Sequence, residues 1–181
     1  MLVEIVRRTP PWVFALFAYL VWIGIKRLRP RARDVRAVWI TPAIFIVWGL
    51  AGLWQHGGPL ALTLADWLGG ALVGGALGAV PAQRLTADRV RGRVLQRASA
   101  APLLRNVVLF GAHYALNVLS AIHPGQRASL MLWDVAVSGL GAGYFAGWAT
   151  RFMAAYRSAP QVDLDDSTPA IARANRVAAT R

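Results

Sequence analysis

The stretch LALTLADWLGGALVGGALGAV, Leu60–Val80, decides the fold of this chain. Asp66 is its only charge, and at 1.5 Å per residue a helix of this length reaches about 30 Å, the thickness of bilayer hydrocarbon. Backbone inside lipid must satisfy its own hydrogen bonds, so the run reads as a membrane-spanning helix. Gly70, Gly74 and Gly78 recur every fourth residue along it. Small residues at that spacing share one face and let another helix approach closely.

Four more apolar runs flank it, roughly Pro10–Ile25, Ala37–Trp54, Leu103–Ile122 and Ala128–Thr150. Alternating ten-residue strands of the barrel type are absent. The expected fold is therefore all-α, a polytopic five-transmembrane-helix bundle over residues 1–157. Residues 158–181 form a polar cytoplasmic tail expected to be disordered, ending in an Ala/Arg segment begun by Pro169. Composition agrees: 56% of the 181 residues are apolar and 15% charged, with mean hydropathy +0.44. Soluble domains run near about 45–50% apolar and about 25% charged.

Charge orients the bundle. The loop after the first span carries Lys26, Arg27, Arg29, Arg31, Arg33 and Arg36, and the loop after the third carries Arg84, Arg89, Arg91, Arg93, Arg97 and Arg105. Five more arginines follow the fifth span, whereas the opposite side holds only Arg7, Arg8 and Arg127. Positive loops stay cytoplasmic, so the amino terminus is expected outside and the carboxyl terminus inside. Glu4 in the leading segment and the basic block Lys26–Arg36 argue that the first span is retained rather than cleaved. Trp12, Trp54 and Trp67 fall toward the outer interface; Trp22, Trp39 and Trp148 fall toward the inner one.

The net charge of +12 does not read as a nucleic-acid surface, because the arginines sit beside hydrophobic spans. Arg27, Arg29, Arg31, Arg33, Arg89, Arg91 and Arg93 are expected to meet anionic phospholipid headgroups. Lys26 is the only lysine, which with the many Ala and Gly residues points to a GC-rich bacterial sequence and so to the inner membrane. The absence of cysteine excludes disulfides, thiolate metal sites and CxxC redox chemistry. In the loop 81–102, the run Asp88-Arg-Val-Arg-Gly-Arg-Val-Leu-Gln-Arg97 fits a small β-hairpin about Gly92 or an amphipathic helix on the lipid surface.

Spans two–three and four–five read either as parallel repeats or as two unrelated hairpins with similar turns. Aligning Asp66 with Asp134 brings Gly70, Gly74 and Gly78 onto Ser138, Ala142 and Ala146 at an offset of 68 residues. The last span carries a second stripe, Gly139, Gly143 and Gly147. With small residues on two faces it is expected to be the central helix.

Chemistry, if any, should come from polar side chains inside the spans, where an ionised group costs about 2.5–3.5 kcal/mol at the bilayer centre. Asp66 and Asp134 each lie six residues from the outer end of their spans, about 9 Å deep. Asn117 lies at similar depth on span four, and His113 one turn deeper on the same face. The four are expected to form one polar layer, able either to carry a proton or polar solute or simply to bond across helices. His56 and His123 fall in outer loops, and no metal or cofactor is expected. No GxSxG, HExxH or phosphate-loop pattern occurs, so no enzyme activity is expected.

The opening Thr9-Pro-Pro-Trp-Val-Phe-Ala-Leu, the Arg27-Leu-Arg-Pro-Arg31 that closes the first span, the Pro42-bearing second span and the Gly-rich last helix running into an arginine resemble a family of small bacterial inner-membrane proteins of unknown function. A more distant likeness is to the CcdC-like membrane proteins associated with cytochrome c maturation. The resemblance covers most of residues 5–157, although Ala98-Ser-Ala-Ala-Pro102 stands where a Pro-Gly-Ser is expected. It implies a five-helix inner-membrane protein and supplies no catalytic residues to carry over. The expected role is a non-enzymatic accessory or structural membrane component, alone or as a homo-oligomer or with a membrane partner. The alternative is a small transporter or proton-coupled carrier using the Asp66/Asp134/His113/Asn117 layer.

Overall fold

A computed structural model describes residues 9–26, 28, 31–54, 59–80, 85–96 and 99–162. The chain is mostly helical. Its helices are α1 (Pro11–Lys26), α2 (Ile40–Leu53), α3 (Leu60–Ala79), α4 (Ala101–Ile122) and α5 (Arg127–Ser158). Three short strands, β1 (Arg31–Asp34), β2 (Thr86–Asp88) and β3 (Arg93–Gln96), interrupt them. Among the described residues, three helical segments are long and apolar enough to cross a membrane: Arg36–Leu53, Leu60–Ala79 and Pro124–Ser158. The helices wear their hydrophobic side chains on the outside. Leu72 and Trp48 are about three-quarters exposed, as are many of their apolar neighbours to a lesser degree. Such a surface suits a lipid solvent and would aggregate in water.

The two glycine stripes find each other. Gly70 lies against Ala136, Gly74 against Leu140 and Gly78 against Tyr144; in return Gly139 lies against Trp67, Gly143 against Ala71 and Gly147 against Gly75. Residue numbers rise together on both sides, so α3 and α5 run parallel. At each of these glycines a Cβ would fall well inside van der Waals contact with a carbonyl oxygen of the other helix. The seam is therefore backbone on backbone, with Cα–H groups facing carbonyls.

The adjoining stripe of α5, Ser138 and Ala142, meets α2. A Cβ on Gly49 would stand 3.1 Å from Ser138 Oγ, and Ala142 is buried with Leu53, Trp67 and Val135 beside Phe45 and Ile46. Trp67, expected as an outer-interface anchor, is instead 6% exposed and packs in this cluster. Its neighbour Gly49 leaves the space its indole fills. On the third flank of α5 lies α4, and α1 packs antiparallel on α4 through Phe17 and Phe110, whose rings are 5.3 Å apart. The arrangement is not two equal hairpins: α5 touches α2, α3 and α4, whereas α3 is held by α5 almost alone.

The loop 81–102 contains the hairpin, not the surface helix. β2 and β3 pair antiparallel, with Ala87 opposite Val94, and Gly92 takes φ +63° in the turn. Only glycine adopts that conformation without strain. An unforeseen strand joins them: β1, from the loop after α1, pairs antiparallel with β3 and gives the order β1-β3-β2. The tail contributes too. α5 continues to Ser158, eight residues past the expected end of the span, and Gln161 then bridges in parallel to Ala87. Val38, Leu85, Ala87, Val94, Ala149, Phe152 and Ala159 close a small core beneath this cap.

Asp88 ties the cap together. It is buried, and its Oδ1 accepts from the backbone N–H groups of Val90 and Arg91, each at 3.1 Å, and from Gln161 Nε2 at 3.3 Å. Arg91 lies 3.6 Å from Oδ2, while Arg89 donates its side chain to the Ala159 carbonyl and its backbone N–H to Gln161 Oε1.

Replacing Gly143 by Ala should cost at least about 2 kcal/mol, since the rigid seam must part. Gly111→Ala, where a Cβ meets nothing within 4 Å, should be neutral or stabilise by up to about 1 kcal/mol. Thermal unfolding of the two variants in detergent compares them directly. For the cap, Asp88→Ala should accelerate tryptic cleavage at Arg89–Arg93 by about tenfold or more, as expected when a buried charged acceptor is lost; limited proteolysis followed by mass mapping reads this.

Candidate functional site

The polar residues expected in one layer divide between two flanks of α5. On the α4 side His113 Nδ1 donates to Asp134 Oδ1 at 2.7 Å, with both side chains half-buried. One nitrogen of the imidazole is thereby committed, and the carboxylate accepts a hydrogen bond across the helix seam rather than lying bare. Asn117 does not reach the pair. Its Nδ2 donates to the His113 carbonyl at 2.8 Å, and Ser120 Oγ donates to the Asn117 carbonyl at 3.2 Å. Asn117 therefore braces the helix turn that carries His113.

Asp66 lies on the other side. It opens on a groove of about 270 Å³ between α3 and α5, lined by Ser129, Leu132, Trp133 and Ala136. Asp134 is two residues from both Leu132 and Ala136, which is about 200° around a helix, so it looks away from this groove. Asp66 Oδ2 is enclosed and has no hydrogen-bond partner, an uncommon state for a carboxylate oxygen. Matching depth along two spans is what suggested a single layer. Azimuth separates the two acids, because the glycine seam sets which face of α5 turns toward α3.

The arginines expected at headgroups are partly occupied in the cap. Arg33 Nη2 donates to the Ala37 carbonyl at 2.9 Å, and Arg89 and Arg91 hold the hairpin and tail. Arg93 also has a bonding partner. Arg27, Arg29, His56, the Trp12 and Arg31 side chains and the tail from Asp163 onward lie outside the described residues. His123 is exposed at the end of α4. No group of three or more metal-capable side chains occurs among the described residues.

Two polar residues escaped sequence reasoning. Asp88 precedes a four-residue turn ending in Gly92, and an Asp at that position is a local turn signal that a closer reading would have caught. Arg105 looked like one more loop arginine. In the structure it sits inside α4, its guanidinium 4.3 Å from the Phe145 ring centroid and 5.4 Å from that of Tyr144. Nothing local in the sequence marks it, since both rings come from α5.

A family model described as a family of unknown function, DUF6622, matches residues 1–161. No curated protein and no solved structure matches the chain.

The His113–Asp134 bond is testable through a double-mutant cycle with His113→Gln and Asp134→Asn. A coupling of about 1–2 kcal/mol is expected from unfolding in detergent; strictly additive losses would mean that the bond contributes nothing.

Proposed function

The chain belongs to the DUF6622 family, and we propose that it is a five-span protein of the bacterial inner membrane acting as a non-enzymatic accessory or structural component. In this reading the amino terminus is periplasmic and the carboxyl terminus cytoplasmic. The charge asymmetry of the loops supports that orientation. The cap supports the pairing of the spans: the loop after α1, the loop after α3 and the start of the tail meet in one small sheet. Those three segments share a side only if the intervening helices cross in pairs. The accessory role rests on one observation above all, the backbone-to-backbone closure of α3 on α5. A seam of that kind holds the two helices in one fixed relation along the glycine stripes.

A second reading, a small proton-coupled carrier, draws on the enclosed and unpartnered Asp66 oxygen beside its groove and on the His113–Asp134 pair. Groups of this kind inside a span accompany proton or solute paths in other membrane proteins. Proton flux into proteoliposomes under an imposed potential separates the two. The accessory reading expects flux no greater than in protein-free vesicles. The carrier reading expects a flux that Asp66→Asn and Asp134→Asn each abolish while the protein still folds. In cells, alkaline phosphatase fused at residue 125 should be active and fused at residue 90 inactive; the reverse pattern would overturn the orientation.

A further inference from the structure

Each acid among the described residues has a place of its own. Asp34 accepts from the Arg36 backbone N–H, Asp88 holds the cap, Asp134 holds His113, and Asp66 faces the α3/α5 groove. None of them pairs with Arg105. Its guanidinium lies on Phe145 beside the Tyr144 ring, and its Nε is enclosed without a partner. The residue as a whole is only half-buried, and the Nη atoms of its guanidinium are not among the enclosed atoms left without a partner.

An arginine keeps its proton in any protein environment, so burial here leaves a permanent cation with aromatic faces and no carboxylate. Aromatic faces attract a cation but do not cancel its charge. An anion on the remaining guanidinium donors would. Phosphate fits best, because the planar fork of the guanidinium offers two parallel donors to two phosphate oxygens. Arg105 lies in the second turn of α4, about 6 Å from its start, the depth at which a phospholipid headgroup meets the end of a spanning helix.

We propose that Arg105, backed by Phe145 and Tyr144, forms a binding site on the α4/α5 flank for a phosphate-bearing anion, with the headgroup of an anionic phospholipid as its source. The site differs from the arginines of the cap, several of which bond to the cap itself. It rests on the reading that this chain sits in a bilayer, but not on which end faces the cytoplasm.

The full chain, purified in detergent, is titrated separately with phosphatidylglycerol, cardiolipin, phosphatidylcholine and inorganic phosphate, while native mass spectrometry counts retained adducts and thermal unfolding is followed in parallel. The wild type should retain an anionic phospholipid and gain thermal stability from it. Arg105→Gln should bind about tenfold or more weakly, whereas Arg157→Gln, an exposed arginine at the end of α5, should bind as the wild type does. Arg105→Lys keeps the charge but loses the fork and the ring stacking; it should bind at least about threefold more weakly, and it serves if the glutamine variant does not fold. Stabilisation by inorganic phosphate alone, dependent on Arg105, supports the site and assigns it a soluble source. Equal retention by wild type and the Arg105 variants overturns it. Whether the protein stays in alkali-washed membranes is scored apart, so a protein that remains membrane-embedded yet binds no phosphate through Arg105 removes this site alone.

Discussion

The parallel seam between α3 and α5 is the contact on which the rest of the molecule depends. Lipid supplies no hydrophobic force to press two apolar helices together, so they associate through close packing and weak backbone contacts. Six glycines, three from each helix, permit a separation that any side chain would forbid. Once α3 is locked to α5, the remaining faces of α5 are assigned. Ser138 and Ala142 turn to α2, and Asp134 turns to His113 on α4. The last helix becomes the axis of the bundle because it is the one with small residues on more than one side.

The cap converts three connections into one object. Each strand is three or four residues long and none would hold alone. They persist because Asp88 and Arg89 bind the hairpin and the tail, and because Phe152 and Ala149 at the end of α5 provide an apolar floor. The extra two turns of α5 exist for this contact; their residues are amphipathic rather than lipid-like. Arginines usually read as topology signals here also act as staples, and the two roles are compatible because both place them at the same end of the helices.

The division of the polar residues bears on function more than their number does. A continuous Asp–Asp–His–Asn layer would have suggested a single conduit. Instead the bonded His113–Asp134 pair and the unpartnered Asp66 are separated by the body of α5. The pair resembles a register-fixing contact; Asp66 and Arg105 are ionisable side chains that each keep an enclosed atom, Oδ2 and Nε, without a hydrogen-bond partner. They lie toward opposite ends of the bundle, Asp66 in the half away from the cap and Arg105 near it.

Much of this was legible in the residues alone. The apolar runs, the glycine spacing of Gly70–Gly78 and Gly139–Gly147, the clustering of arginines and the Asp88–Arg97 hairpin signal are all local, and local patterns fix helix length, period and charge position whatever the neighbours do. Depth along a span is also local, which is why Asp66 and Asp134 could be matched in height. What only the tertiary structure decided is azimuth and partnership: that Trp67 turns inward to Gly49, that Asp66 and Asp134 look to opposite flanks, that β1 joins a hairpin over fifty residues away, and that Arg105 rests on rings from α5. Those depend on which helix faces which, and that choice is made by shape complementarity between distant segments, a property no single stretch of sequence carries.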